Sequence, residues 1–238
     1  MDIERFPDRG ALTGRAAGIF IEHGRLALAD RGVFLVALSG GSTPRPLYEM
    51  LSQPPDVGRL EWNGVQLYFG DERVVPPEDP SSNFRMVRET LLASGRIPEA
   101  NVHRIEGELG ADQAARQYDA ELRALARSQG REVPRLDLVL LGLGPDGHTA
   151  SLFPGTDVLN VSDHLAAPVS LPPESSGYSA AAFRVTLTFP VINAADLVLF
   201  LVAGEDKRKP LQAIEEGDES LPAARVRPAT PPLWLVTT

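Results

Sequence analysis

Short apolar runs alternate with amphipathic stretches along most of this chain. From about residue 8 to 30, Leu12, Ala16, Ile19, His23 and Leu26 recur at spacings of four and three, which predicts a helix with one buried stripe. Val33-Phe-Leu-Val-Ala-Leu38 is then apolar throughout, the pattern of a strand covered on both faces. Residues 47–51 predict the next helix, and 65–69 a second strand ended by Gly70-Asp71. Beyond a polar, proline-rich loop over 74–82, helices are expected near 83–94 and over about 111–129. The second of these carries Ala114, Tyr118, Leu122 and Leu125 on one face. Residues 138–141 and 197–202 read as buried strands, 185–188 as a short one, and 233–236 as the closing one, with a helix at about 206–216. The stretch 153–182, rich in Pro, Gly, Ser and Ala, has no clear period.

Strands alternating with helices predict an α/β fold: a doubly wound, mostly parallel sheet with helices on both faces, Rossmann-like. No repeat and no linker interrupts the 238 residues, so the whole span 1–238 reads as a single domain.

Composition narrows the function by exclusion. No apolar run reaches the ~18–20 residues of a membrane helix, and the N-terminus lacks a basic stretch followed by an apolar core. The absence of cysteine rules out disulfides and thiolate chemistry. A net charge of −9 argues against nucleic-acid and membrane partners, so an anionic substrate needs a local cationic pocket. Lysine occurs only at 207 and 209, every other fixed cation being arginine, and Lys207 therefore stands out.

Four unusual loops each follow a predicted strand, and in such sheets ligands bind beyond the carboxyl ends of the strands. Ser39-Gly40-Gly41-Ser42-Thr43-Pro44 offers backbone N–H groups, hydroxyls and a helix start to an anion, although a capped tight turn explains the same residues. Gly70-Asp71-Glu72-Arg73 sets two carboxylates and a guanidinium at a strand end, where a local ion pair is the plainer explanation. Gly142-Leu-Gly-Pro-Asp146-Gly-His148 matches GxGxxG, but on a late strand rather than in a first βαβ unit, so a dinucleotide is not expected. His148 in that loop is the candidate base, because a free imidazole titrates at about 6.5, nearest neutrality among side chains. Gly204-Glu-Asp-Lys207 points an ammonium toward the same rim. His23, His103 and His164 lack acidic or glycine-rich company in the sequence and read as structural.

Taken in order, these motifs, with Ser82-Asn-Phe84, the continuation Thr-Ala-Ser-Leu-Phe153-Pro154 and Arg184-Val-Thr-Leu-Thr188, resemble the 6-phosphogluconolactonases over about 30–236. The related glucosamine-6-phosphate deaminases carry a glutamate just before the proline, where this chain has Phe153, and tend to carry tyrosine where it has Arg73. The resemblance implies a cytoplasmic enzyme that hydrolyses 6-phospho-D-glucono-1,5-lactone in the pentose phosphate pathway. Its partner would be that small phosphorylated lactone, its cofactors and metals none, and its state monomer or small homo-oligomer. Gly40, Gly41, Ser42, Thr43, Arg73 and Lys207 would hold the phosphate, with Arg184 a weaker substrate contact. His148 would activate water, and either Asp71 or Asp146 would orient it or the sugar hydroxyls. Ser151 is a poor nucleophile candidate, since no GxSxG elbow is present. Alternative readings are an amino-sugar phosphate isomerase or deaminase and a non-catalytic sugar-phosphate sensor.

Overall fold

A computed structural model describes residues 1–171 and 182–237. Six strands form one parallel sheet: β1 (Asp2–Arg5), β2 (Phe34–Leu38), β3 (Val65–Phe69), β5 (Leu138–Gly142), β8 (Leu197–Ala203) and β9 (Leu233–Thr237), in the order β1-β9-β8-β5-β2-β3. β2, β5 and β8 are apolar along almost their whole length because both faces of the sheet are covered. The doubly wound α/β expectation is borne out.

The chain builds outward from β2 to β3 on one side and from β5 to β8 and β9 on the other. β2 and β5 therefore flank the point where the strand order reverses, the usual place for a ligand in such sheets.

α1 (Arg9–Arg31) starts where the Asp8 carboxylate accepts the Ala11 N–H at 2.8 Å, and ends at left-handed Gly32. Its buried face differs from the predicted stripe at one end. Leu12, Ala16 and Ile19 are buried, His23 is half-buried and Leu26 is 63% exposed. The inner face there runs through Phe20, Gly24 and Ala27, with Gly24 lying close under the Leu60 side chain, so Leu26 turns outward. α2 (Arg45–Leu51), α4 (Ala111–Ser128) and α6 (Arg208–Glu215) follow the expected order, and the short α5 (Phe189–Asn193) was not expected. The single helix expected over 83–94 is instead α3 (Asn83–Glu89) followed by a 3-10 turn (Leu91–Ser94).

A second, three-stranded antiparallel sheet was not expected. It consists of β4 (Asp71–Arg73), β7 (Phe183–Leu187) and β6 (Ala166–Ser170) in the order β4-β7-β6. Gly70 joins the two sheets: its N–H donates to Leu38 O and its carbonyl accepts the Leu187 N–H, both at 2.8 Å. β4 consists entirely of charged residues, and β6 contains Pro168, tolerated because β6 is an edge strand. Neither shows the β-branched pattern that marks a strand in sequence.

Candidate active site

Beyond the carboxyl ends of β2 and β5 lies a cavity of about 310 Å³. Its walls come from all four loops that sequence placed on one rim: Ser39 to Pro44, Asp71 and Arg73, Gly142 to Pro145 with His148 and Ala150, and Asp206 with Lys207.

The Ser39 loop is anchored from below. The Tyr48 hydroxyl on α2 accepts the Ser39 N–H at 3.0 Å and donates to Ser39 O at 2.8 Å, and its burial pushes the phenol well above its ordinary range. Tyr118 on α4 treats Phe69, at the end of β3, in the same way, at 2.8 and 3.0 Å. Two buried tyrosines thus satisfy backbone groups where β2 and β3 stop. Gly40 must be glycine for lack of room, since a Cβ there would lie 1.9 Å from Asn83 Oδ1. α2 is only seven residues long, so an anion in this loop would be met mainly by N–H groups, hydroxyls and nearby cations.

The two carboxylates of the Asp71-Glu72 pair have different surroundings. Glu72 points away from the cavity into the start of α3. It accepts the N–H groups of Arg73, Asn83 and Phe84, each at 2.7 Å, and the Ser82 hydroxyl at 3.0 Å. Burial pushes the Glu72 carboxyl up against the downward pull of those backbone donors. Asp71 lines the cavity and accepts the Ser151 hydroxyl at 2.5 Å and the Asn83 amide at 3.2 Å, with Arg184 Nη1 at 4.0 Å. Ser151, fully buried, donates to Asp71 and does not line the cavity. Arg73 lines it, donates through Nη1 to Ser81 O, and has a buried Nε without a hydrogen-bond partner among the described residues.

His148 is held by its own loop. Asp146 Oδ1 lies 2.5 Å from His148 Nδ1 and 3.2 Å from its backbone N. Burial acts to raise Asp146, but the hydrogen bond and charge of His148 outweigh it and hold the carboxyl below its ordinary value. Gly144 makes room, because a Cβ there would sit 2.0 Å from His148 Nδ1. Ala150, next in the wall, takes a left-handed conformation (φ 47°), an unfavourable one for a residue with a Cβ. The His148 ring stacks on Phe153, centroids 4.1 Å apart, and the Arg184 guanidinium lies over the same phenyl ring at 5.4 Å.

Lys207 Nζ pairs with Asp206 at 2.7 Å, and that contact holds the Asp206 carboxyl below its ordinary range. Sequence reasoning missed Arg9, the first residue of α1, which also lines the cavity. Nothing near Arg9 in sequence marks it, since only the packing of α1 brings it beside Gly204.

Gly40, Gly41, Ser42, Thr43, Asp71, Arg73, His148, Arg184 and Lys207 thus all line one cavity, with Asp146 behind His148. His103 does have acidic company: Glu121 from α4 lies 2.5 Å from Nδ1, Gln66 lies 2.8 Å from Nε2, and Tyr68 stacks on its ring. His164 likewise has Asp119 at 3.8 Å. Neither lines the cavity. Among the described residues no cluster of three or more His, Asp or Glu could hold a metal ion, and no helix is long and apolar enough to cross a membrane.

A doubly wound sheet with a cation-lined cavity at its switch point defines an α/β protein shaped for a small anionic ligand. The family model described as glucosamine-6-phosphate isomerases/6-phosphogluconolactonase matches residues 7–234, and the chain belongs to that family. It is 37% identical to a 6-phosphogluconolactonase of Nostoc sp., covering 98% of this chain and 94% of the relative. It is 40% identical to one from Rattus norvegicus, covering 84% and 76%. The crystal structure of 6-phosphogluconolactonase from Thermotoga maritima superposes with a TM-score of 0.82 at 31% identity, covering 100% of this chain and 99% of that one. A monomeric glucosamine-6-phosphate deaminase superposes equally well, with a TM-score of 0.83, but at 19% identity that likeness shows the fold alone.

Proposed function

We propose that this chain hydrolyses 6-phospho-D-glucono-1,5-lactone to 6-phosphogluconate, the lactone-opening step of the oxidative pentose phosphate pathway. The observation that carries the reading is His148, backed by Asp146, in the wall of a cavity that a glycine–hydroxyl loop and fixed cations also line. The lactonases among its relatives support the choice of substrate.

In this reading Gly40, Gly41, Ser42 and Thr43 hold the phosphate through N–H groups and hydroxyls, with Arg73 and Lys207 supplying charge. Lys207 leaves Asp206 for the phosphate when substrate binds. Arg184 belongs to the lactone end, because it shares Phe153 with His148. Asp71, tied to Ser151 and Asn83, is positioned to receive a sugar hydroxyl.

Asp146 occupies Nδ1 of His148, so the proton moves at Nε2. Nε2 takes a proton from water as the water oxygen bonds to the lactone carbonyl carbon, and Asp146 stabilises the imidazolium. When the tetrahedral intermediate collapses, the bond to the ring oxygen breaks and Nε2 returns the proton to that oxygen. Water is consumed, and one carboxylic acid and one hydroxyl are formed. A lactone is a reactive ester, so positioning and one base are sufficient. The scheme uses neither metal nor cofactor. The span 1–238 acts as one sugar-phosphate hydrolase domain, cytoplasmic, as a monomer or small homo-oligomer without nucleic-acid or membrane partners.

Hydrolysis of freshly generated lactone by wild type and His148→Ala tests this. Wild type should exceed the spontaneous rate, with ~10²–10⁴-fold of the excess lost in the variant. No excess for wild type defeats the lactonase reading, and a fully active variant defeats His148 as base.

A further inference from the structure

Ser151 follows His148 by three residues, yet its hydroxyl faces away from the cavity. The Leu152 N–H donates to Thr149 O at 2.9 Å, closing a tight turn in which Ala150 takes the left-handed φ of 47°. That turn leaves His148 and Ala150 in the cavity wall and carries Ser151 behind it, at 0% exposure. There the Ser151 hydroxyl donates to Asp71 Oδ2 at 2.5 Å, joining two loops 80 residues apart in sequence. The small sheet fixes this pair from below. The Ser151 N–H donates to Thr186 Oγ1 at 3.2 Å, and Thr186 is the residue facing Asp71 in the pairing of β4 with β7. The second oxygen of Asp71 accepts the Asn83 amide at 3.2 Å, and the same amide reaches Asp71 O at 2.9 Å.

We infer that Ser151 is a positioning residue for substrate binding: its hydroxyl, acting with the Asn83 amide, locks the plane of the Asp71 carboxylate against one sugar hydroxyl of the bound ligand. The inference deepens the reading of Asp71 as acceptor of a sugar hydroxyl and rests on it. A carboxylate turns easily about its last side-chain bond, and a donor on each oxygen removes that freedom before the ligand arrives. The lone pairs left over then point in fixed directions. Asp71 lines the cavity, whereas Ser151 and Asn83 do not, so the clamp reaches the ligand through the carboxylate. With its proton given to Asp71 and its oxygen enclosed, Ser151 is not placed to attack a lactone carbon.

Calorimetric binding of 6-phosphogluconate and of inorganic phosphate to wild type and Ser151→Ala tests this. The variant should bind 6-phosphogluconate about tenfold more weakly, the scale of one hydrogen bond to a charged group. Inorganic phosphate should stay within about twofold, because the Ser39 loop is untouched. In the lactone assay KM should rise about tenfold with kcat within about threefold, whereas a loss of folded enzyme would lower kcat at constant KM. With Asp71→Ala already in place, adding Ser151→Ala should change 6-phosphogluconate affinity by less than about twofold. Three results would each overturn the inference: wild-type affinity for 6-phosphogluconate in a folded Ser151→Ala, an equal loss for both ligands, or an additive loss beside Asp71→Ala. Should alanine unfold the chain, Ser151→Cys, whose thiol is a much weaker donor, carries the same comparison. Binding needs no turnover, so it reads the clamp even if lactonase activity is absent.

Discussion

Arg73 and Arg184 stand directly opposite each other in the antiparallel pairing of β4 and β7, both lining the cavity. Like charges at facing positions of a strand pair repel, and here both guanidinium groups are largely withdrawn from water. Asp71 on β4 lies 4.0 Å from Arg184. An anion bound in the cavity would meet both of these cations.

The folded state should therefore be stabilised by a phosphorylated ligand. At a 6-phosphogluconate concentration 100 times its Kd, linkage predicts about 2.7 kcal/mol of added stability. Thermal unfolding with increasing ligand should show a rising Tm, and gluconate without the phosphate should leave Tm almost unchanged. An equal response to both compounds would contradict a phosphate-binding cavity.

Gly144→Ala should leave the fold intact and disable the base. The added Cβ would meet His148 Nδ1 at 2.0 Å and Asp146 Oδ1 at 2.7 Å, and the imidazole is the group able to move. Displacing it should lower kcat on the order of 10²-fold with little change in KM. Steady-state kinetics beside a circular-dichroism melt would check this.

Asp146→Asn should lower the rate, since Asp146 Oδ1 lies 2.5 Å from His148 Nδ1. The maximal rate should fall about 10–10²-fold, because the imidazolium of the transition state loses its carboxylate partner. Steady-state kinetics beside a thermal melt that confirms folding would check this.

Asp119 should contribute acid-sensitive stability far from the cavity. Burial acts to raise its carboxyl, but Arg123 at 2.7 Å and the Leu165 N–H at 2.6 Å outweigh it and hold it below the ordinary value. A depressed carboxyl stabilises the fold above its unfolded value of about 3.9, and that contribution is lost as pH falls through the folded value. Asp119→Asn should cost about 1–3 kcal/mol at pH 7, and the gap to wild type should close toward pH 2–3. Urea unfolding at the two pH values checks the sign.

Much of the fold was legible because local pattern and burial agree. The uninterrupted apolar runs of β2, β5 and β8 can satisfy both faces only inside a covered parallel sheet, and their glycine-rich ends mark one rim. His148 and Lys207 were legible for a related reason: each follows a strand end in a loop whose glycines or composition set it apart. β4 was not, because its charged residues lie in a strand only where Glu72 caps α3 and Gly70 joins two sheets. The exposure of Leu26 likewise depends on Leu60, which sequence does not place beside Gly24.

By itself, then, the sequence determined the parallel α/β sheet, the four loops that share its rim and the residue types available for chemistry there. These follow from periodicity, turn chemistry and charge, all of which act over a few residues. Only the tertiary structure decided that Asp146 rather than Asp71 meets His148 Nδ1, that Arg9 joins the rim, and that Phe153 lies against both His148 and Arg184. Hydrogen bonds and ring contacts form over a few ångströms between groups that can be tens of residues apart, and local pattern carries no record of those distances.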